Sequence, residues 1–203
     1  PMRLLPPHPL GENAFISPLR KGSTLTLKAI FIIYFIFGFA YNIYATYFVA
    51  YMVEEVELSE KTAGNIWALF GWMCMGSGLI WGFLSDRLGR RKALLWNNGI
   101  IASSVLLPLL LHQPFFLGLS AFLFGITFLG TVTIIAAAIG DQVLDKRAYV
   151  YGWVTLIHGI GQFLGTTSGG YLKDLTGTFQ LTLIVSLTGF LLCILLTAIN
   201  KKG

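Results

Sequence analysis

The sequence predicts an all-α membrane protein of six transmembrane helices, and three observations carry the prediction. Only 11% of the 203 residues are charged, less than half the share of about 25% usual in a soluble domain. Hydrophobic residues make up 55% and the mean hydropathy is +0.73, more apolar surface than so few charges can screen from water. The apolar residues fall in six runs long enough for the roughly 20-residue helix that crosses a bilayer core. Their spacing lacks the two-residue alternation of a membrane barrel. Disordered, collagen-like and disulfide-rich secreted classes are excluded by the same composition.

Residues 1–24 read as a proline-rich tail or linker, with Pro6 and Pro7 adjacent, and are not apolar enough for a signal peptide. The six-helix bundle follows over residues 25–203. Its spans are expected near 29–53, 62–84, 93–111, 115–139, 148–172 and 181–200. The first carries Tyr41, Asn42, Tyr44 and Tyr47, and the second ends in a basic loop. The third holds Asn97 and Asn98. The fourth holds Thr127 and Thr131. In the fifth, Gly161, Gly165 and Gly169 lie four apart, forming a smooth face for close packing, and His158 and Gln162 stand one turn apart. Cys74 and Cys193 both sit inside apolar runs and read as small buried hydrophobes.

The net charge of +5 suggests nucleic acid at first sight, but the cations sit at the ends of the apolar runs. That placement orients membrane helices, so no nucleic-acid partner is expected. Short connections make neighbouring helices antiparallel. Twelve Lys and Arg then fall on the side of the termini and the second and fourth loops, against only Lys61 and Lys173 on the other. The split places both termini in the cytoplasm.

The second loop reads Gly82-Phe-Leu-Ser-Asp86-Arg87-Leu-Gly89-Arg90-Arg91-Lys92. A merely basic loop explains the cations but not Gly82, Asp86 and Gly89 at their spacing. This stretch resembles the signature loop of the major facilitator superfamily, G-x-x-x-D-R-x-G-R-R, and it joins the second and third spans, as it does in that family. The stretch from Gly169-Gly170 to Asp174, Gly177 and Phe179 resembles the join between the last two helices of the superfamily's C-terminal half. The resemblance covers about residues 24–200, and within the superfamily it is nearest to bacterial carriers of uncharacterised substrate.

The resemblance implies helices seven to twelve of a secondary carrier in a bacterial cytoplasmic (inner) membrane. Its surroundings and partners would be membrane lipid, a missing N-terminal six-helix half or a second half-size chain, and a small-molecule solute. It also implies a gating motif of Gly82, Asp86, Arg87, Gly89, Arg90, Arg91 and Asp141, with an Asp86–Arg90–Asp141 charge chain. Because the first and fourth helices line the cavity in this superfamily, Tyr41, Asn42, Tyr44, Thr127 and Thr131 are expected solute contacts, and because the third faces lipid or the bundle flank in that family, Asn97 and Asn98 are expected there. His158 and Gln162 join them as polar groups within the membrane. Charged side chains are missing from the middle of every span, which favours a neutral or weakly charged solute. No cofactor or metal is expected, since the sequence lacks a Cys/His cluster and a phosphate-cradling loop. A nucleophile–base arrangement at informative spacing is also missing, so the chain does not read as an enzyme. The rival readings are a membrane scaffold without transport and a lipid-modifying enzyme.

Overall fold

The computed structural model describes residues 25–143 and 146–200, and within them the chain forms six α-helices joined by short turns. The 1–24 segment, with Arg3, Arg20 and Lys21, lies outside the described residues, as do Lys201 and Lys202. Helix α1 (Leu27–Glu54) starts where Thr26 Oγ1 accepts a hydrogen bond from the Ala29 amide at 3.3 Å. Helix α2 (Glu60–Leu88) starts likewise at Ser59, whose Oγ accepts from the Thr62 amide at 3.2 Å. These hydroxyls satisfy amides left without a partner in the first turn. Gly89 has φ +87°, a conformation strained for any residue with a β-carbon. It ends α2 and lets α3 (Arg90–Leu110) begin at the next residue. Helix α4 (Pro114–Gly140) opens on proline, whose missing N–H is harmless in a first turn. Helix α5 (Arg147–Thr176) stops at the left-handed Gly177, φ +73°, and α6 (Gln180–Ile199) closes the chain.

Two ends differ from expectation. Helix α2 runs on to Leu88, so Asp86 and Arg87 belong to its last turn and Gly89 alone is the connection. Helix α5 runs on to Thr176. Apolarity ends where the hydrocarbon ends, but intrahelical hydrogen bonding does not, and it continues until a glycine breaks it. Five of the helices are long and apolar enough to cross a membrane. Helix α5 has the length, at 30 residues, but His158, Gln162, Thr166, Thr167, Ser168 and its glycines make it more polar than the rest.

Helix α1 packs along α5 and α6, α4 packs along α2 and α3, and α3 meets α6 at the back. Exchanging α1–α2–α3 with α4–α5–α6 leaves this set of neighbours unchanged, the pattern of two three-helix repeats. The close approaches obey the same exchange. A β-carbon at Gly161 of α5 would fall on the Phe35 carbonyl oxygen of α1 and lie 3.1 Å from the Phe39 nitrogen. One at Gly165 would fall on the Phe39 carbonyl, and one at Gly169 on the Tyr47 ring. A β-carbon at Gly38 of α1 would lie 2.5 Å from the His158 carbonyl oxygen of α5, and across the exchange one at Gly125 of α4 would lie 2.5 Å from the Phe70 carbonyl oxygen of α2. Helices α2 and α5 correspond under the exchange, and both leave an apolar face uncovered. Trp72, Met75, Leu79 and Phe83 are exposed on one, and Trp153, Leu156, Ile160 and Phe163 on the other.

Candidate functional site

Two polar constellations stand out from the apolar bundle. The first lies at the α2–α3 turn. Arg90 Nη1 donates to Asp86 Oδ1 at 2.5 Å and to Ser85 Oγ at 2.8 Å, while Arg90 Nε donates to Asp141 Oδ2 at 2.8 Å. Asp141 caps the C-terminus of α4, where the helix dipole disfavours an anion; the guanidinium offsets that cost and ties three helices together. The Arg90 side chain is only 15% exposed, whereas that of Asp86 is 65% exposed. Next to it, Arg91 Nε donates to the Thr197 carbonyl at 2.9 Å and Nη2 to that of Ala198. A cation thus satisfies end carbonyls of α6. Arg87 points elsewhere, its guanidinium 4.1 Å from the Phe83 ring centroid. Gly82 brings α2 close to α4, since a β-carbon there would lie 3.4 Å from the Thr133 methyl.

The second constellation runs along the α1–α5 seam. The His158 ring stacks on Tyr34, with centroids 4.1 Å apart, and lies 6.2 Å from the Tyr41 ring. His158 Nδ1 is 3.0 Å from the Tyr34 carbonyl oxygen, and His158 Nε2 is 3.0 Å from Gln162 Nε2. One turn on, Asn42 Nδ2 donates to the Gln162 carbonyl at 3.1 Å and to Thr166 Oγ1. Tyr47 OH donates to the Thr166 carbonyl at 2.6 Å. Gly38 makes room for the imidazole, for a β-carbon there would lie 2.6 Å from Nδ1. Tyr41 also meets Phe128 of α4, with centroids 4.6 Å apart, so this seam continues into an aromatic surface. Tyr41, Asn42, His158 and Gln162 therefore come together.

Three expected solute contacts do not join them. Tyr44, Thr127 and Thr131 are fully buried in the bundle. Pro108 inside α3 has no N–H, which frees the Ser104 carbonyl four residues back. Ser120 Oγ donates to that carbonyl at 2.6 Å, so its oxygen accepts from Tyr44 OH at 2.5 Å. The Tyr44 hydroxyl is thereby committed to repairing α3. Thr127 Oγ1 donates to the Leu123 carbonyl of its own helix at 2.6 Å. Thr131 Oγ1 accepts from Asn97 Nδ2 at 2.6 Å. Nor do Asn97 and Asn98 face lipid, since both are fully buried. Asn97 Oδ1, both side-chain polar atoms of Asn98 and Ser77 Oγ have no hydrogen-bond partner among the described residues.

The family described as "Uncharacterised MFS-type transporter YbfB" matches residues 2–198. The chain belongs to the major facilitator superfamily. Among solved structures it is similar to the peptide transporter POT in complex with sulfate, at TM-score 0.75 and 22% identity, covering 85% of this chain and 37% of that one. The POT complex with alafosfalin gives TM-score 0.74 and 21% identity, with 87% and 39% covered. The E. coli fucose:proton symporter FucP gives TM-score 0.69 and 17% identity, with 87% and 43% covered. At these identities the likeness is one of fold. No curated protein matches the chain. The chain spans about two fifths of the length of these solved structures.

One clamp of this superfamily half escaped the sequence reading. At the end opposite the charge chain, Lys173 Nζ lies 3.3 Å from Glu54 Oε2 and 3.7 Å from Glu55 Oε1. It also lies 3.9 Å from the Phe179 ring centroid, and Glu55 Oε1 accepts from the Phe179 amide. Lys173, one of two cations on the same side as Glu54, Glu55, Glu57 and Glu60, was the available signal.

Proposed function

We propose that this unit is the C-terminal half of a secondary carrier that moves a small solute across a bacterial inner membrane by alternating access, with both termini cytoplasmic and transport coupled to an ion or solute gradient. The observation that carries the reading is the Asp86–Arg90–Asp141 chain. Arg90 is held on both sides, yet Asp86 keeps most of its carboxylate exposed. It stands at the end of α2, whose outer apolar face is uncovered. An exposed anion beside an uncovered helix is ready to meet the N-terminus of a helix in the other half, where free amides and the dipole attract it. The uncovered faces of α2 and α5 are where that other half, an N-terminal six-helix unit or a second copy, docks, and lipid covers the remainder. Two halves rocking about a midplane site break and remake the Asp86 contact.

The test is accumulation from a mixture of isotope-labelled metabolites into proteoliposomes holding the full-length protein, read by mass spectrometry against empty vesicles. A solute that accumulates only with protein identifies the cargo. Asp86→Asn is expected to cut its initial rate at least fivefold without changing the melting temperature of the purified protein by more than a few degrees. Uptake at the wild-type rate by this variant refutes the gating role.

A further inference from the structure

We infer that the α1–α5 seam is a binding face built from hydrogen-bond acceptors and aromatic rings, and that it selects solutes carrying an N–H donor, protonated organic amines above all. The inference rests on the carrier reading and names the solute chemistry it left open.

Hydrogen-bond direction decides the matter. The Tyr34 carbonyl can only accept, so His158 Nδ1 holds a proton. With Nδ1 protonated and the ring neutral, Nε2 has only its lone pair to offer, and the Gln162 amide nitrogen donates to it. That turns Gln162 Oε1 away from the histidine. Asn42 is set in the same way. Its amide nitrogen must face the Gln162 carbonyl, and Thr166 Oγ1 spends its own proton on that carbonyl at 3.2 Å, so it can only accept from Asn42. Asn42 Oδ1 is therefore turned away as well. Neither Gln162 Oε1 nor Asn42 Oδ1 has a partner among the described residues, and neither is enclosed in the protein. Asn42 has spent both amide donors on the bundle and Gln162 one of its two, and both amides present their acceptors outward. A carbonyl left bare in hydrocarbon costs several kcal/mol, so these oxygens belong against a wet or solute-filled space. The ring of Tyr41, next to Asn42 in the chain, lies 6.2 Å from the His158 ring and 4.6 Å from the Phe128 ring, and such faces attract cations. The helix middles here hold no Lys or Arg to repel a cation.

The measurement is equilibrium binding of three probes of one shape to the purified full-length protein in nanodiscs at neutral pH: benzylamine, benzyl alcohol and benzoate. The expected order is benzylamine tightest and benzoate weakest. Gln162→Leu is expected to weaken benzylamine about tenfold, the loss of one hydrogen bond to a charged group, and to leave benzoate no weaker. Gln162→Met, which keeps length without the acceptor, serves if the leucine variant misfolds. The inference falls if benzoate binds as tightly as benzylamine, if none of the probes binds, or if neither variant weakens benzylamine. Its failure is separable from that of the carrier reading. Benzylamine binding without protein-dependent flux removes the carrier and keeps the acceptor face, whereas benzoate flux does the reverse.

Discussion

Gly161 and Gly159 sit two residues apart on α5, and adding one methyl group to each separates packing from helix propensity. At Gly161 the new β-carbon meets the Phe35 carbonyl oxygen inside any permitted contact and also lies 3.1 Å from the Phe39 nitrogen. Both obstacles are backbone, so no rotamer change relieves them and α5 must move outward by roughly 1 Å. Overpacking of this kind costs about 1–3 kcal/mol. The displacement also stretches the His158, Asn42 and Tyr47 hydrogen bonds across the seam, each worth about 0.6 kcal/mol between membrane helices. Less the helix-propensity gain of about 0.5–1 kcal/mol that alanine brings at either position, the sum is about 2–4 kcal/mol. At Gly159 a β-carbon meets nothing within 4 Å, so alanine there gains only the propensity term of about 0.5–1 kcal/mol. Gly161→Ala is expected to melt about 5–15 °C below wild type, and Gly159→Ala at or slightly above it. Thermal unfolding of the full-length variants in detergent, followed by size-exclusion recovery, reads both. Equal melting temperatures for the two alanine variants refute close backbone packing of α5 on α1.

Two other substitutions test single contacts. Tyr44→Phe is expected to lower stability by about 0.5–1.5 kcal/mol and to leave solute binding unchanged; a binding defect at unchanged stability returns Tyr44 to the solute site. Asn98→Leu exchanges a buried amide without a partner among the described residues for an apolar side chain of similar size, so the melting temperature should rise by an amount equivalent to about 1–3 kcal/mol. A fall on the same measurement shows that the amide is satisfied after all.

How much of the site was legible in the sequence differs from residue to residue. Asp86 and Arg90 stand four apart and the loop signature marked them, but Gly89 ends one helix and starts the next between them, so the glycine turn rather than a helical spacing brings them together. Asp141 is 51 residues from Arg90, and only the family resemblance pointed to it. Tyr41 and Tyr44 read alike in the sequence, both polar aromatics in one span. They differ by three residues, which turns one about 60° away from the other on the helix. One looks across the seam to His158, and the other is buried against Ser120 because a proline in α3 left a carbonyl to be satisfied.

What the sequence by itself determined is what hydropathy and local hydrogen bonding control. These are the membrane class, six helices, their ends to within a few residues, and the charge signature at the second turn. Each depends on neighbours within a turn or two, and the bilayer acts on every span alike. Tertiary structure alone decided which face of each helix is buried. It set the separation of α1 from α5, the tautomer of His158, and the outward turn of the Asn42 and Gln162 oxygens. Those outcomes depend on which groups from distant segments arrive opposite one another, because a carbonyl that can only accept dictates the proton on whatever meets it.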